Sequence, residues 1–291
     1  MDEQESLAER FEEHRSHLRA VAYRMLGSLS EADDAVQDAW IRLSRADTSD
    51  VENLGGWLTT VVARVSLTML RSRQSRREEP LGPHVPEPII DRADGTDPEH
   101  EALLAGSVGL ALLVVLETLT PAERLAFVLH DMFAVPFDDI AQIVGRSPEA
   151  ARQLASRARR RVRAAAPVPD ADLSTQWEIV DAFLAAARDG DFDALVAVLD
   201  PEVVLRADLG AGATREVRGA DRIARQALTW SQVGLTMHRT LINGAAGAIT
   251  ARNGEPASVG AFAISNGKIV EIDILADPAF LHRLDPTILD S

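Results

Sequence analysis

Arginine at short spacing is the strongest chemical signal in this chain. Arg146, Arg152, Arg157, Arg159, Arg160, Arg161 and Arg163 follow one another with Glu149 as the one acid among them. A guanidinium can grip guanine bidentately, and a glutamine amide such as Gln153 can do the same for adenine. Arg146, Ser147, Arg152, Gln153, Ser156, Arg157 and Arg160 are therefore the candidate base-reading and positioning residues. Of the run, Arg159, Arg160, Arg161 and Arg163 stand farther along and suit phosphates. A second basic cluster is Arg71, Arg73, Arg76 and Arg77. A third group is acidic: Asp33, Asp34, Gln37 and Asp38 form one polar face, which suits a basic partner or plain solvation. The formal net charge of -15 argues against nucleic acid if taken as a sum. Its distribution argues the other way, because these two short segments are strongly basic while the acids lie elsewhere.

Other chemistries are disfavoured. The chain has no cysteine, so thiolate metal sites, disulfides and cysteine nucleophiles are excluded, and a reducing cytoplasm is the expected setting. No Gly-rich phosphate loop followed by Lys-Ser or Lys-Thr appears in the helical parts. No cofactor, metal or catalytic residue is expected. The acidic segment Met1–Arg10 lacks the apolar stretch of a signal peptide. The uncharged run Ala102–Leu116 falls short of the ~20 residues a spanning helix needs and reads as a buried helix.

The elements that must position these groups can be read from periodicity. Ala32, Ala35, Val36, Ala39, Trp40 and Leu43 recur at helical spacing, with Ser30 and Asp33 as the expected capping box. A second helix is expected from about Gly56 to Arg73, with Thr60, Arg64 and Arg71 on its polar face and Trp57 in its core. Leu119-Thr-Pro-Ala-Glu123 starts a helix: Thr120 can cap it, Pro121 suits its first turn, and Glu123 completes a capping box. A short helix at Phe137–Val144 follows, then a turn at Gly145. Ser147 caps the next helix, which is expected to run to about Arg163. Helix, tight turn, arginine-rich helix is the pattern of a DNA-reading helix-turn-helix, in which the second helix enters the major groove. A solvated amphipathic helix would share the one-sided charge. Cap, turn and charge together favour DNA binding.

Prolines at 80, 83, 86, 88 and 98 exclude a single helix or a central strand between 78 and 101. Pro167 and Pro169 mark a second break. The expected parts are 1–77 and 102–165, both all helix, with linkers at 78–101 and 166–172, and a third part at 173–291. The third part opens with a helix at Thr175–Arg188. β-like runs follow at 248–252, 257–264 and 268–275. They are punctuated by Asn243-Gly244 ahead of the first and by Asn253-Gly254 and Asn266-Gly267 between them, three type I′ hairpin signals. An α+β domain with a curved antiparallel sheet is expected.

Leu119-Thr-Pro-Ala-Glu-Arg-Leu-Ala-Phe-Val-Leu-His130, Ile140-Ala-Gln-Ile-Val-Gly-Arg-Ser-Pro148 and Ala150-Ala-Arg-Gln-Leu-Ala-Ser-Arg-Ala-Arg159 closely resemble region 4 of extracytoplasmic-function (ECF) sigma factors. Ala22-Tyr-Arg-Met-Leu-Gly27, Ala32-Asp-Asp-Ala-Val-Gln-Asp-Ala-Trp40 and Gly56-Trp-Leu-Thr-Thr-Val-Val-Ala-Arg64 resemble sigma region 2. The resemblance implies a sigma-70-family subunit that directs transcription initiation, with core RNA polymerase and promoter DNA as partners. It implies that Asp33, Asp34, Gln37 and Asp38 meet the β′ coiled coil and that region 4 meets the β flap. It also implies that the segment Asp47–Asn53 with Asn53, Thr60, Arg64, Arg71 and Arg73 serves the −10 element, and that the arginine-rich helix serves the −35 element.

Gly82-Pro-His-Val-Pro-Glu-Pro88 resembles the linker of a subgroup carrying a C-terminal SnoaL-like domain of the NTF2-like cone fold, and 173–291 resembles that domain. Ala276-Asp-Pro-Ala-Phe-Leu281 departs from the subgroup's Asn-Pro-Asp-Lys-Leu motif, and Asp208-Leu-Gly-Ala-Gly212 departs from its Gly-rich acidic one. SnoaL-like cyclases use an aspartate in an apolar cone, which brings Asp208 and His238 into view as acid–base candidates. A regulatory domain, packed against the sigma domains or binding a small ligand, is the expected role, with no enzyme activity and no membrane.

Overall fold

The computed structural model describes residues 3–46, 51–75, 85–93, 95, 100, 109–165, 172–231 and 234–289. Arg76 and Arg77, the loop start at 47–50, and much of both linkers fall outside them. Among the described residues, no helix is long and apolar enough to cross a membrane. The chain divides into two compact units.

The first unit comprises Met1–Glu79, Pro98–Gly106 and Val115–Ala165. Helices α1 (Glu3–Leu26), α2 (Leu29–Leu43) and α3 (Leu54–Ser75) pack on one another. Leu18, Tyr23, Met25, Leu26, Leu43 and Leu58 are fully buried between them. Each such side chain stabilises the fold by roughly 1.5–3 kcal/mol. Gly27 takes the left-handed conformation (φ 69°) that ends α1. The chain then re-enters a helix at once. Ser28, extended at φ -139° and ψ 132°, accepts the cap bond from Glu31 N. The cap is therefore Ser28, not the expected Ser30 with Asp33: the turn at Gly27 leaves Ser28 as the last non-helical residue.

Among the described residues, four further helices follow in this part of the chain. Helix α4 (Leu110–Glu117) straddles the boundary between the units. Helix α5 (Pro121–Phe127) starts with the expected Thr120–Glu123 capping box and continues into one π-helical turn, Val128–Met132. Helices α6 (Phe137–Val144) and α7 (Pro148–Ala165) flank Gly145, which is left-handed at φ 69°. Ala151, Ala155 and Ala158 are fully buried on the inner face of α7. Their small size lets α7 lie close to α5.

Within this unit the two expected helical parts meet. Arg124 of α5 is 3% exposed, and its Nη1 donates to Met25 O at 2.9 Å and to Glu117 Oε1 at 2.7 Å. The Phe133 ring takes the His17 ring edge-on at 5.3 Å and the Arg24 guanidinium at 5.0 Å. Burial, then the nearby His14 and Arg24 charges, hold His17 below its ordinary pKa.

The second unit comprises Pro80–Asp97, Ser107–Val114 and Ala166–Ser291. Helices α8 (Leu173–Asp189), α9 (Phe192–Val198) and α10 (Ala220–Ser231) accompany a seven-stranded sheet in the order β1-β4-β5-β6-β7-β2-β3. The strands are β1 (Ile90–Arg92), β2 (Leu199–Asp208), β3 (Thr214–Arg218), β4 (Thr236–Ile242), β5 (Ala245–Arg252), β6 (Glu255–Ser265) and β7 (Lys268–Leu275). A short helix α11 (Pro278–Leu281) follows. All three Asn-Gly pairs have positive φ at both residues, as type I′ turns require. Val180, Phe183, Leu195, Leu205, Ile223 and Ile272 lie in the core between helices and sheet. This is the expected cone, a curved and unclosed sheet with helices in its concavity. It is mixed rather than wholly antiparallel, because β2 runs parallel to β7.

The stretch expected as a linker supplies β1. Ile90, Asp91 and Arg92 pair with Ile242, Leu241 and Thr240. Val85 and Ile89 are fully buried. The side chain of Asn243, one residue past β4, accepts from Ile89 N at 3.0 Å, and Asn243 N donates to Ile89 O at 2.8 Å. An edge position suits this proline-rich segment, since proline cannot serve a central strand.

Candidate nucleic-acid interface

Helix α7 presents its polar residues in one band. Arg152, Ser156, Arg160 and Arg163 fall within about 80° of arc at 100° per residue, and Gln153 and Arg157 flank them. All six are exposed, as is Arg146 in the turn. Ser147 acts as the cap, its Oγ accepting from Ala150 N at 3.3 Å. Arg152 stands 3.6 Å from Glu149 and 5.5 Å from the Phe137 ring centroid. Such an exposed ion pair is worth roughly 0–1 kcal/mol, so DNA can displace it. The Glu149 carboxyl is held below its ordinary value first by its own backbone N–H, then by the Ser147 hydroxyl and Arg152.

Two of the arginines assigned to phosphates are already engaged. Arg159 Nε meets Asp131 Oδ1 at 2.5 Å, and Arg161 Nη1 meets Glu123 Oε2 at 3.0 Å. Glu123 is 5% exposed, so Arg161 ties the end of α7 to the capping box of α5. The free band is therefore narrower than the arginine run.

Helix α3 carries a second band. Thr60, Arg64, Thr68 and Arg71 share about 80° of arc. Thr60 Oγ1 donates to Gly56 O at 3.0 Å, and Arg64 and Arg71 are exposed. Asn53 caps α3, its Oδ1 accepting from Gly56 N at 2.9 Å. Trp57 is half-buried. Arg73 stands apart from the band. Its guanidinium pairs with Glu31 and donates to Leu26 O at 3.1 Å, which ties α3 to α2 and to the end of α1. Helical spacing alone puts Arg73 on the far side from Arg64, and that is the signal that could have separated them.

On α2, Asp33, Asp34 and Gln37 are exposed and Asp38 is half-buried. Arg19 holds Asp33 at 2.6 and 3.2 Å, and Arg42 holds Asp38 at 2.9 Å. Asp34 and Gln37 point to solvent between these pairs. Beside them a groove lined by Phe11, Arg15, Val36 and Trp40 runs between α1 and α2.

In the second unit a cavity of about 210 Å³ opens in the cone. Asp208 and His238, the acid–base candidates, do not line it. The Asp208 carboxylate accepts from Gly210 N at 3.0 Å, and His238 Nε2 lies 3.1 Å from Thr236 Oγ1. Met237, the neighbour of His238, faces the cavity instead.

Known proteins resemble this chain in both of its helical parts. The family description Sigma-70 region 2 matches residues 10–76, and Sigma-70, region 4 matches residues 109–162. The ECF RNA polymerase sigma factor SigJ of Mycobacterium tuberculosis is 40% identical over 286 residues, spanning 92% of this chain and 91% of that protein. The probable ECF RNA polymerase sigma factor SigI of the same species is 34% identical over 285 residues, with 98% of each chain covered. The crystal structure of SigJ superposes with a TM-score of 0.76 at 35% identity, covering 94% of this chain and 98% of that one.

Proposed function

Because the chain belongs to the ECF RNA polymerase sigma factors, we propose a division of labour among its surfaces. The family assignment makes it a promoter-directing subunit, a binding protein rather than an enzyme. The α2 face around Asp34 and Gln37 docks on core RNA polymerase. The α3 band of Thr60, Arg64 and Arg71, with Asn53 at its head, serves the −10 element. The α7 band of Arg152, Gln153, Ser156, Arg157 and Arg160, with Arg146 and Ser147 in the turn, serves the −35 element. Such work belongs in the cytoplasm, with polymerase and promoter DNA as partners. The observation that carries this reading is that both basic bands stay exposed while neighbouring arginines are held in internal pairs.

The third domain governs how the two helical parts are tethered. From Ser75 to Gly109 the chain could extend roughly 115 Å if free. Pairing of β1 with β4 and the Asn243 clamp pin this tether to the sheet. The third domain thereby shortens the reach between the −10 and −35 readers and modulates initiation.

Reconstitution with core RNA polymerase tests the reading. Purified protein plus core enzyme starts transcripts from a cognate promoter, and an Asp34→Arg, Gln37→Arg variant loses polymerase binding while keeping its fold. Tight promoter binding without core enzyme, together with no transcripts on any promoter, would instead indicate a conventional repressor.

A further inference from the structure

The cone cavity is walled by apolar side chains from several elements, among them Phe183 and Leu184 of α8, Met237 of β4, Phe262 of β6 and Ile272 of β7. Its volume of about 210 Å³ exceeds the roughly 150 Å³ that holds benzene in a dry protein cavity. Among the described residues, none of the lining side chains is ionisable. A charged guest would lose its hydration without gaining a counter-charge there, so a neutral guest is selected.

The room is kept open by small residues where nothing else requires them. Gly260 lines the cavity from β6. Its φ is not positive, and a Cβ placed on it would meet only Ala248 O, at 3.7 Å. Gly247, on the neighbouring strand, is different: a Cβ there would fall 2.5 Å from Ile242 Cδ1 and 3.0 Å from Gly260 O. Packing explains Gly247 and leaves Gly260 unexplained, since a strand glycine without a steric reason weakens the strand. Preserving space for a guest supplies the reason.

Among the described residues, polar character inside is confined to three. Thr250 Oγ1 and Ser258 Oγ face each other across β5 and β6 at 2.7 Å. One hydroxyl donates to the other, which leaves one hydrogen and spare lone pairs for a guest. The Gln226 amide stands at the same cavity from α10.

Two segments that stood out in the sequence meet at the mouth. Ala276 N donates to Asp208 O at 2.7 Å. Gly210, left-handed at φ 79°, lies so close to Asp277 that a Cβ would sit 2.7 Å from Asp277 Oδ1. Leu209 and Ala276 both line the cavity, and Leu209 is 49% exposed, the highest value among the exposed large hydrophobic residues described. A guest would cover that leucine.

We infer that this cone is a binding site for a neutral, largely apolar molecule of about ten heavy atoms, oriented by the Thr250–Ser258 hydroxyl pair and covered at the mouth by Leu209. The test titrates the full-length protein with 2-naphthol, naphthalene and 2-naphthoate, following naphthyl fluorescence and heat. Saturable one-site binding is expected for 2-naphthol, weaker binding for naphthalene and the weakest for the anion. Gly260→Val fills the cavity and is expected to weaken 2-naphthol at least tenfold with the melting temperature unchanged or raised. Ala248→Leu is the second filling variant should the first fail to fold. Thr250→Val with Ser258→Ala is expected to erase the preference for 2-naphthol over naphthalene. Absence of saturable binding by both neutral probes, equal affinity in the filled variants, or tightest binding of the carboxylate overturns the inference.

Discussion

The two units place their charged side chains in opposite ways. In the helical unit, the α3 and α7 bands and Asp33 and Asp34 of α2 stand at the surface, while Arg24, Arg124 and Glu123 are buried. In the sheet unit, the most heavily charged cluster is buried. Arg206 of β2 meets Glu271 at 2.9 Å and Asp273 at 3.3 Å on β7, with Glu216 of β3 at 3.9 Å. Burial lowers the Arg206 pKa, but its hydrogen bond to Glu271 and the Asp273 charge outweigh this and hold it above its ordinary value. Burial pushes Asp273 up to about 6, against the pull of Arg206 and with the push of Glu271. Surface charge in the first unit is available to polymerase and DNA. Buried charge in the second specifies strand pairing at the parallel β2–β7 ladder and leaves the cone's other face apolar.

The largest effect that separates the units is therefore on stability. Arg206→Met removes the cation between three acids, and Glu271 Oε2 is already buried without a hydrogen bond. Removing one partner from a buried pair costs about 3–5 kcal/mol. Urea melts of the full chain are expected to show the sheet unit unfolding first, with the helical unit little changed. Loss of both units together would show that the cluster does not belong to one unit alone.

Protonation of the same cluster works in a stated direction. The folded pKa of Asp273 is raised above its unfolded value, so the folded state holds the proton more tightly. Stability from this residue is fullest at low pH and falls as pH rises from about 4 to beyond 6. Between pH 5 and pH 7 the loss is on the order of 1 kcal/mol. Asp273→Asn is expected to flatten that part of the pH dependence, read as the difference in urea midpoint at the two values. An unchanged slope would place the proton elsewhere.

In the helical unit the contrast lies within one helix. Arg157→Ala is expected to lower −35-dependent transcription by about 1–3 kcal/mol of binding, roughly 5–150-fold, at unchanged melting temperature. Arg161→Ala loses the bond to Glu123 and is expected to shift stability slightly and transcription far less. Equal transcription defects for the two, without a stability change in either, would mean that the internal pair opens on DNA.

How much of this could be read in advance follows the range of the interactions. The Thr120–Glu123 box, the Ser147 cap and the three Asn-Gly turns each lie within four residues, and all are present. The α7 and α3 bands follow from a 3.6-residue period. Apart from the cap of α2, which falls on Ser28 two residues before the expected Ser30, what escaped depends on distant partners. Arg73 finds Glu31, 42 residues away, and Asn243 finds Ile89, 154 residues away. Helical spacing sets Arg73 apart from the α3 band, but no local pattern names the distant glutamate that it meets. The cavity is further out of reach, because its walls come from α8, α10 and five strands of the sheet, and one of its lining residues, Gly260, looks ordinary in sequence.

Asn243 offers the finest separation of local from distant roles, because it serves both at once. Its φ of 50° begins a type I′ turn, and its side chain satisfies the buried Ile89 N–H. Asn243→Gly keeps the turn, since glycine takes positive φ freely. It removes the side-chain half of the clamp and keeps the backbone bond to Ile89 O, leaving a buried donor unsatisfied at a cost of about 1–3 kcal/mol, less if water enters. The expected result is a sheet unit that melts slightly lower, with backbone amides at Ile89–Arg92 exchanging faster while those of β5 and β6 hold. If the tether sets the reach between the two DNA readers, this variant also alters initiation most at promoters whose −10 and −35 spacing departs from the preferred one. Faster exchange at β1 with no change in spacing preference would confine the clamp to stability and remove the third domain's hold on the tether from the mechanism.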